Sequence, residues 1–112
     1  MADDLAPRRG EVWLVSFDAA IGGEVQKTRP AVILSNDTAN ALLNRVQVVP
    51  ISSQVDRLYP AEAAITLSGE RRKAMADQIT TASKRRLQRR LGMLGTQDLE
   101  AVGRVVRIQL AL

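Results

Sequence analysis

Residues 28–52 read TRPAVILSNDTANALLNRVQVVPIS, and the fold turns on where its prolines, Pro30 and Pro50, can sit. Residues 30–35 (PAVILS) are a short continuous apolar run, and residues 45–52 (RVQVVPIS) are a second, rich in β-branched side chains. Both have the composition of strands. Proline donates no backbone hydrogen bond, so Pro30 fits only the first position of its strand, and Pro50 marks an edge or a bulge. Between them NDTANALL (36–43) reads as a short helical turn or loop, with Asn36 as its cap. Arg29 is required by neither the proline nor the strand.

Outward from this stretch, EVWLVSF (11–17) is a further strand, and DAAIGGEVQKT (18–28) is a loop in which Gly22 and Gly23 can take positive φ. EAAITLS (62–68) and KAMADQIT (73–80) read as strands joined by the turn SGERR. SKRRLQRR (83–90) reads as a short basic helix or turn, followed by a short strand, LGMLG. Residues 96–112 form an amphipathic helix, with Thr96 at the N-cap position and Asp98 and Glu100 near the first turn, where the macrodipole favours acids. Five or six short strands in a chain of 112 residues predict a mainly β fold. The expected architecture is a small antiparallel barrel with short helices and a C-terminal helix, with residues 1–112 as a single domain.

The final helix carries two apolar stripes. Leu99, Val102, Val106 and Leu110 fall on one, and Val105, Ile108 and Leu112 on the other. One stripe can cover the sheet. The second is either clasped by the barrel or meets another chain, and a homodimer is the expected assembly.

Composition limits the chemistry. The chain has no cysteine, so a reducing cytoplasm is the expected compartment, and the acidic start MADDLAPRRG and the lack of a long apolar run predict neither signal peptide nor membrane span. There is no histidine, which removes the usual acid/base at neutral pH and the commonest transition-metal ligand. No carboxylates stand at metal-ligand spacing, and neither GXGXXG nor GXXXXGK occurs, so no metal and no cofactor is expected.

Charge is uneven. Residues 1–70 carry six Lys/Arg against nine Asp/Glu, while residues 71–112 carry ten against three. The basic block of Lys84, Arg85, Arg86, Arg89 and Arg90 predicts a polyanion or an acidic partner, unless it is only a solvated face. Guanidinium, hydroxyl, carboxylate and amide groups remain, and they suffice for one reaction of RNA. The 2′-hydroxyl can attack its own phosphodiester, leaving the protein to hold the strand in line and stabilise the developing charge. Arginine suits that task because its planar fork matches phosphate oxygens.

RGEVWLVSFD, GGEVQKTRPAVILSND, VVPISSQ, LSGERRKAMADQITTASKRRL and the closing helix together resemble the MazF/PemK toxins, from about Arg9 to the C-terminus. These are sequence-specific endoribonucleases (mRNA interferases) of toxin–antitoxin pairs. The resemblance implies an SH3-like barrel of the MazF/PemK/CcdB kind, a homodimer, single-stranded mRNA as substrate and neutralisation by an acidic, MazE-like antitoxin. It places the catalytic arginine on Arg29 and the catalytic hydroxyl, usually a threonine, on Ser52. Glu24 takes the place of the family's loop glutamate, and Gln54 and Gln78 fall on its RNA-facing surface. Lys27, Thr28 and Ser53, neighbours of the catalytic pair, and Lys84 complete the expected RNA-binding set. Thr80 and Ser83 depart from the arginine and aspartate frequent in the later motif, which bears on the bases recognised.

Each residue also has a plain structural reading. Arg29 can be a surface arginine at a strand start, Ser52 a hydroxyl that satisfies a turn, and Glu24 an ion-pair partner of Lys27 or Arg29. Trp13 and Phe17 share a strand face and are read as core ahead of a base-stacking platform. The competing function is a non-catalytic, gyrase-binding toxin of the CcdB kind, or a nucleic-acid-binding module on the same barrel.

Overall fold

The computed structural model describes residues 6–17 and 27–112. Within them the chain runs β1 (Glu11–Ser16), β2 (Thr28–Ile33), α1 (Asp37–Leu42), β3 (Arg45–Ser52), β4 (Glu62–Leu67), β5 (Glu70–Met75), β6 (Thr80–Ser83), β7 (Leu87–Met93) and α2 (Thr96–Leu110). The strands make one antiparallel sheet in the order β4-β5-β3-β2-β1-β7, with β6 added alongside β3. The sheet curls into a half-barrel. Leu67 Cδ1 on β4 stands 3.6 Å from where a Cβ would sit at Gly92 on β7, so the outer strands approach one another.

Both faces of the central strands are buried. One carries Val12, Val32, Val49 and Ile51 against Val102, Val105 and Val106 of α2. The other carries Val15, Ala31, Ile33, Val46 and Val48, with Trp13, Phe17 and Leu87 packed on it. Two-sided burial is why residues 31–34 and 48–51 are apolar without alternation. Each fully buried Val or Ile contributes about 1.5–3 kcal/mol. Trp13 and Phe17 are core-flanking, as expected, and the Trp13 indole N–H donates to Glu11 Oε1 at 3.0 Å.

Local chemistry explains the short elements. Asn36 caps α1, its side chain accepting from the Ala39 N–H at 2.8 Å. Buried Asn40 ties α1 to the sheet: it donates to the Ser35 carbonyl at 2.9 Å and accepts from Ser35 Oγ, which itself accepts from the Gln47 N–H. Gly10, at φ +94°, lets the chain pass under α2, since a Cβ there would lie 3.0 Å from Leu99 Cδ2.

Several local expectations are corrected. Thr96 is the first residue of α2 and Gly95 is the N-cap, while Asp98 spends a carboxylate oxygen on the Thr66 N–H of β4. The turn before β5 is only Ser68 and Gly69, both at positive φ, so Glu70, Arg71 and Arg72 belong to the strand. Two-residue turns of this kind match the twist of a hairpin, whereas a longer SGERR turn would not be needed. Residues 73–80 are not one strand, because a 3-10 turn at Ala76–Gln78 separates β5 from β6. The basic block, expected as a short helix or turn, is a turn only in its first half. It is one 3-10 turn, Lys84–Arg86, running into β7, where hydrogen bonding to β1 overrides helix propensity.

α2 ends at Leu110 and not at 112: Leu99, Val102, Val105 and Val106 face the core, but Ile108 (57% exposed), Leu110 and, beyond the helix, Leu112 (84%) do not. Neither apolar stripe is covered to its end. No helix among the described residues is long and apolar enough to cross a membrane.

Candidate active site

The two prolines of the opening stretch build the site. The Leu34 N–H donates to the Gln47 carbonyl at 2.9 Å, which sets the phase of the β2–β3 ladder. In that phase Val32 and Val49 exchange hydrogen bonds, and Ala31 and Pro50 face each other without bonding. The next bonded pair would be Pro30 with Ile51, and Pro30 has no N–H to give. Pairing of β2 with β3 stops there.

Beyond that point the strands part. The start of β2 stays on β1, with Arg29 opposite Val15, while the end of β3 turns to β5, with Ile51 opposite Ala74 and Ser52 opposite Lys73. Pro50 is therefore not in an edge strand. Its missing N–H points to the side of β3 where β6 ends at Val48 and β5 begins at Ile51, so no ladder bond is lost.

Between the parting strands lies a cleft of about 510 Å³, lined by Arg29, Pro30, Ile51, Ser52, Ser53, Gln54 and Arg72. Arg29 and Ser52 would have faced each other had the ladder continued. Arg29 is half-buried, and its Nε is shut off from solvent without a hydrogen-bond partner among the described residues. Leaving a buried donor unpaired costs about 1–3 kcal/mol, more when it is charged. Such a group is poised for an anionic oxygen, and Nε with one Nη makes the bidentate fork that phosphate accepts.

Ser52 ends β3 and is half-buried; its Oγ accepts from the Gln54 N–H at 3.1 Å. The structural reading of this hydroxyl, as a turn-former, is thus present. It does not exhaust the group, because a serine keeps its own O–H to donate. Ser53 and Gln54 are exposed at the cleft mouth. Lys27, at φ 62°, and Thr28 are exposed just before Arg29, and the Phe17 N–H donates to the Lys27 carbonyl at 2.8 Å, holding the end of the β1–β2 pair. Glu24 lies outside the described residues.

The remaining expected residues are dispersed. Gln78 is half-buried in the 3-10 turn that runs past β3 between its pairings with β5 and β6, close to Pro50. Lys84 sits at the opposite end of β3, its N–H bonded to the Asn44 carbonyl. At 3.3 Å per residue, that is about 26 Å along the strand from Ser52. The basic block is partly structural too: Arg90 Nε pairs with Glu11 Oε2 at 3.0 Å, and Arg86 Nη1 donates to the Ser16 carbonyl at 3.1 Å.

Arg72 was missed from the sequence. It lines the cleft while Nη2 pairs with Glu70 Oε1 at 2.5 Å and Nη1 donates to the Arg71 carbonyl at 2.8 Å. Reading Ser68-Gly69 as a complete turn would have placed Arg72 in the strand beside Ser52. Among the described residues no three His, Cys, Asp or Glu side chains group to hold a metal ion. Among the described residues, the charged groups lining the cleft are the guanidiniums of Arg29 and Arg72, which favours an anion there.

A family model described as "PemK-like, MazF-like toxin of type II toxin-antitoxin system" matches residues 8–110. The chain is 36% identical over 114 residues to endoribonuclease MazF9 of Mycobacterium tuberculosis (strain ATCC 25618 / H37Rv), covering 94% of this chain and 97% of that protein. Its fold resembles MazF from Deinococcus radiodurans, with a TM-score of 0.84 and 24% identity over 96% of this chain and 98% of that one. It also resembles an endoribonuclease from a mycobacterial species solved in complex with its cognate antitoxin, with a TM-score of 0.79 and 26% identity over 96% and 97% of the two chains.

Proposed function

The chain belongs to the PemK-like, MazF-like family of type II toxins, and on that premise we propose that it is an endoribonuclease that cuts single-stranded mRNA at a short sequence and is neutralised by an acidic cognate antitoxin. The observation that carries the reading is the buried Nε of Arg29, without a hydrogen-bond partner among the described residues, in a cleft shared with Ser52.

The chemistry needs no metal and no cofactor, because the substrate brings its own nucleophile. The 2′-oxygen forms a bond to phosphorus, the bond from phosphorus to the 5′-oxygen breaks, one proton leaves the 2′-hydroxyl and one arrives at the 5′-oxygen. The products are a 2′,3′-cyclic phosphate and a 5′-hydroxyl. Arg29 binds the non-bridging oxygens where charge builds in the transition state. Ser52 hydrogen-bonds the reacting oxygens through its remaining O–H. Gln54 and Ser53 at the cleft mouth, with Gln78 nearby and the loop that holds Glu24, pair with exposed base edges. Lys27, Thr28 and, further off, Lys84 hold the backbone and read no bases.

The uncovered apolar end of α2, with Ile108 and Leu110, and Leu112 just beyond it support assembly as a homodimer. The compartment is the cytoplasm, where messenger RNA and the antitoxin are met.

The test is incubation of the purified protein with a mixed-sequence RNA in EDTA. Cuts at a short repeated motif are the expected outcome. Intact RNA in a retarded band would mean a binding module on the same barrel, and the endonuclease reading would fail.

A further inference from the structure

Behind Ser52 lies a buried ion pair that the chemistry above does not use. Lys73 of β5 is paired directly with Ser52 of β3, so the two side chains leave the sheet on the same face. Its ammonium donates to Glu62 Oε1 at 2.9 Å and to the Arg57 carbonyl at 2.9 Å, with the Tyr59 ring centroid 5.5 Å away. Glu62 Oε1 in turn accepts from the Tyr59 N–H at 2.9 Å. The side chains of Lys73 and Glu62 are only 9% and 8% exposed.

A pair this deep gains little stability over apolar side chains of the same volume, because desolvation offsets the attraction. What it adds is direction. Residues 53–61 join β3 to β4 without a strand ladder of their own, and they begin with Ser53 and Gln54 of the cleft mouth. The pair grips this loop twice, at the Arg57 carbonyl and at the Tyr59 N–H. Lys73 therefore holds both ends of residues 52–57: Ser52 through the strand pairing and Arg57 through its ammonium.

We propose that Lys73, backed by Glu62, is a positioning residue for the cleft, locking the loop that carries Ser53 and Gln54 and through it the Ser52 hydroxyl relative to Arg29. The inference rests on the endonuclease reading of that cleft. Lys73 itself is covered by Glu62 and the loop, lies outside the cleft lining and touches no substrate.

The decisive variant is the double replacement Lys73→Met with Glu62→Leu. Lys73→Met alone leaves a buried carboxylate unpaired and threatens folding, whereas the apolar pair keeps the volume and removes both charges. The double variant should melt close to wild type and bind mixed-sequence RNA about as well as wild type, because the phosphate contacts remain. Amide hydrogen exchange should rise by about tenfold or more at residues 53–59, with the core strands unchanged, as expected when buried charged hydrogen bonds are lost. Its single-turnover cleavage rate should fall by about tenfold or more, since small misplacements of reacting groups are costly, and its cleavage-site map should broaden. Unchanged exchange in the loop would overturn the proposal, and so would a loosened loop that still cuts at wild-type rate and sites. The exchange arm needs no RNA. A wild-type protein inert toward RNA would therefore count against the endonuclease reading, and exchange alone would still decide the tether.

Discussion

Arg29→Ala should lower the single-turnover cleavage rate by at least about two orders of magnitude, the usual cost of removing a group that stabilises transition-state charge. RNA binding should weaken far less, because Lys27, Arg72, Arg85 and Arg89 remain. The melting temperature should hold or rise. Arg29 Nε is buried without a partner among the described residues, so its truncation should remove a folding cost along with the activity. That opposite sign, lost rate without lost stability, separates a catalytic arginine from a structural one at a strand start. Arg29→Lys should recover little, because an ammonium cannot reproduce the planar fork. An Arg29→Ala protein that cuts RNA near the wild-type rate would remove the residue from the mechanism.

Ser52→Ala comes next in size, with an expected loss on the order of a hundredfold if the hydroxyl assists proton movement. The change also deprives the Gln54 N–H of its acceptor, so part of the loss could come from the turn. Ser52→Thr settles which. It keeps an oxygen for Gln54 and an O–H for the substrate, and its added methyl narrows the rotamers. Threonine should retain most activity, where alanine does not. If both variants cut normally, Ser52 only shapes the turn, and Ser53, which follows β3 and also lines the cleft, becomes the hydroxyl to test.

Much of this was readable in the sequence because local chemistry and tertiary placement agree there. Asn36 is a favoured cap residue ahead of a short helix, and the apolar run at 30–35 and the β-branched run at 45–52 have strand composition. Pro30 was legible as a strand start, but its consequence was not. That it ends one ladder, and so opens a cleft at Arg29, depends on which strand lies alongside and in which phase. Pro50 misled for the same reason: an interior strand tolerates proline where its neighbour on one side changes from β6 to β5.

Charged stretches were the least legible. Arg71, Arg72 and Lys73 read as turn and strand edge, yet Lys73 is among the most buried cations of the chain because Glu62 and a loop carbonyl meet it from elsewhere. In the block from Lys84 to Arg90, charge alone could not say that Arg90 serves Glu11 and Arg86 a carbonyl of β1. Arg29 and Ser52 are proposed as a catalytic pair through resemblance to a family. The geometry adds why Arg29 and Ser52 belong together, as partners in a ladder interrupted by Pro30.

The most direct test of the account is cleavage of an RNA oligonucleotide carrying one 2′-deoxy residue immediately 5′ of the cut bond. The protein should bind it as it binds the all-ribose strand and leave that bond intact in EDTA, while the all-ribose strand is cut to a 2′,3′-cyclic phosphate and a 5′-hydroxyl. Equal cutting of the deoxy strand at the same bond would show that the nucleophile is not the substrate's own, and the role given to the Arg29–Ser52 cleft would be wrong.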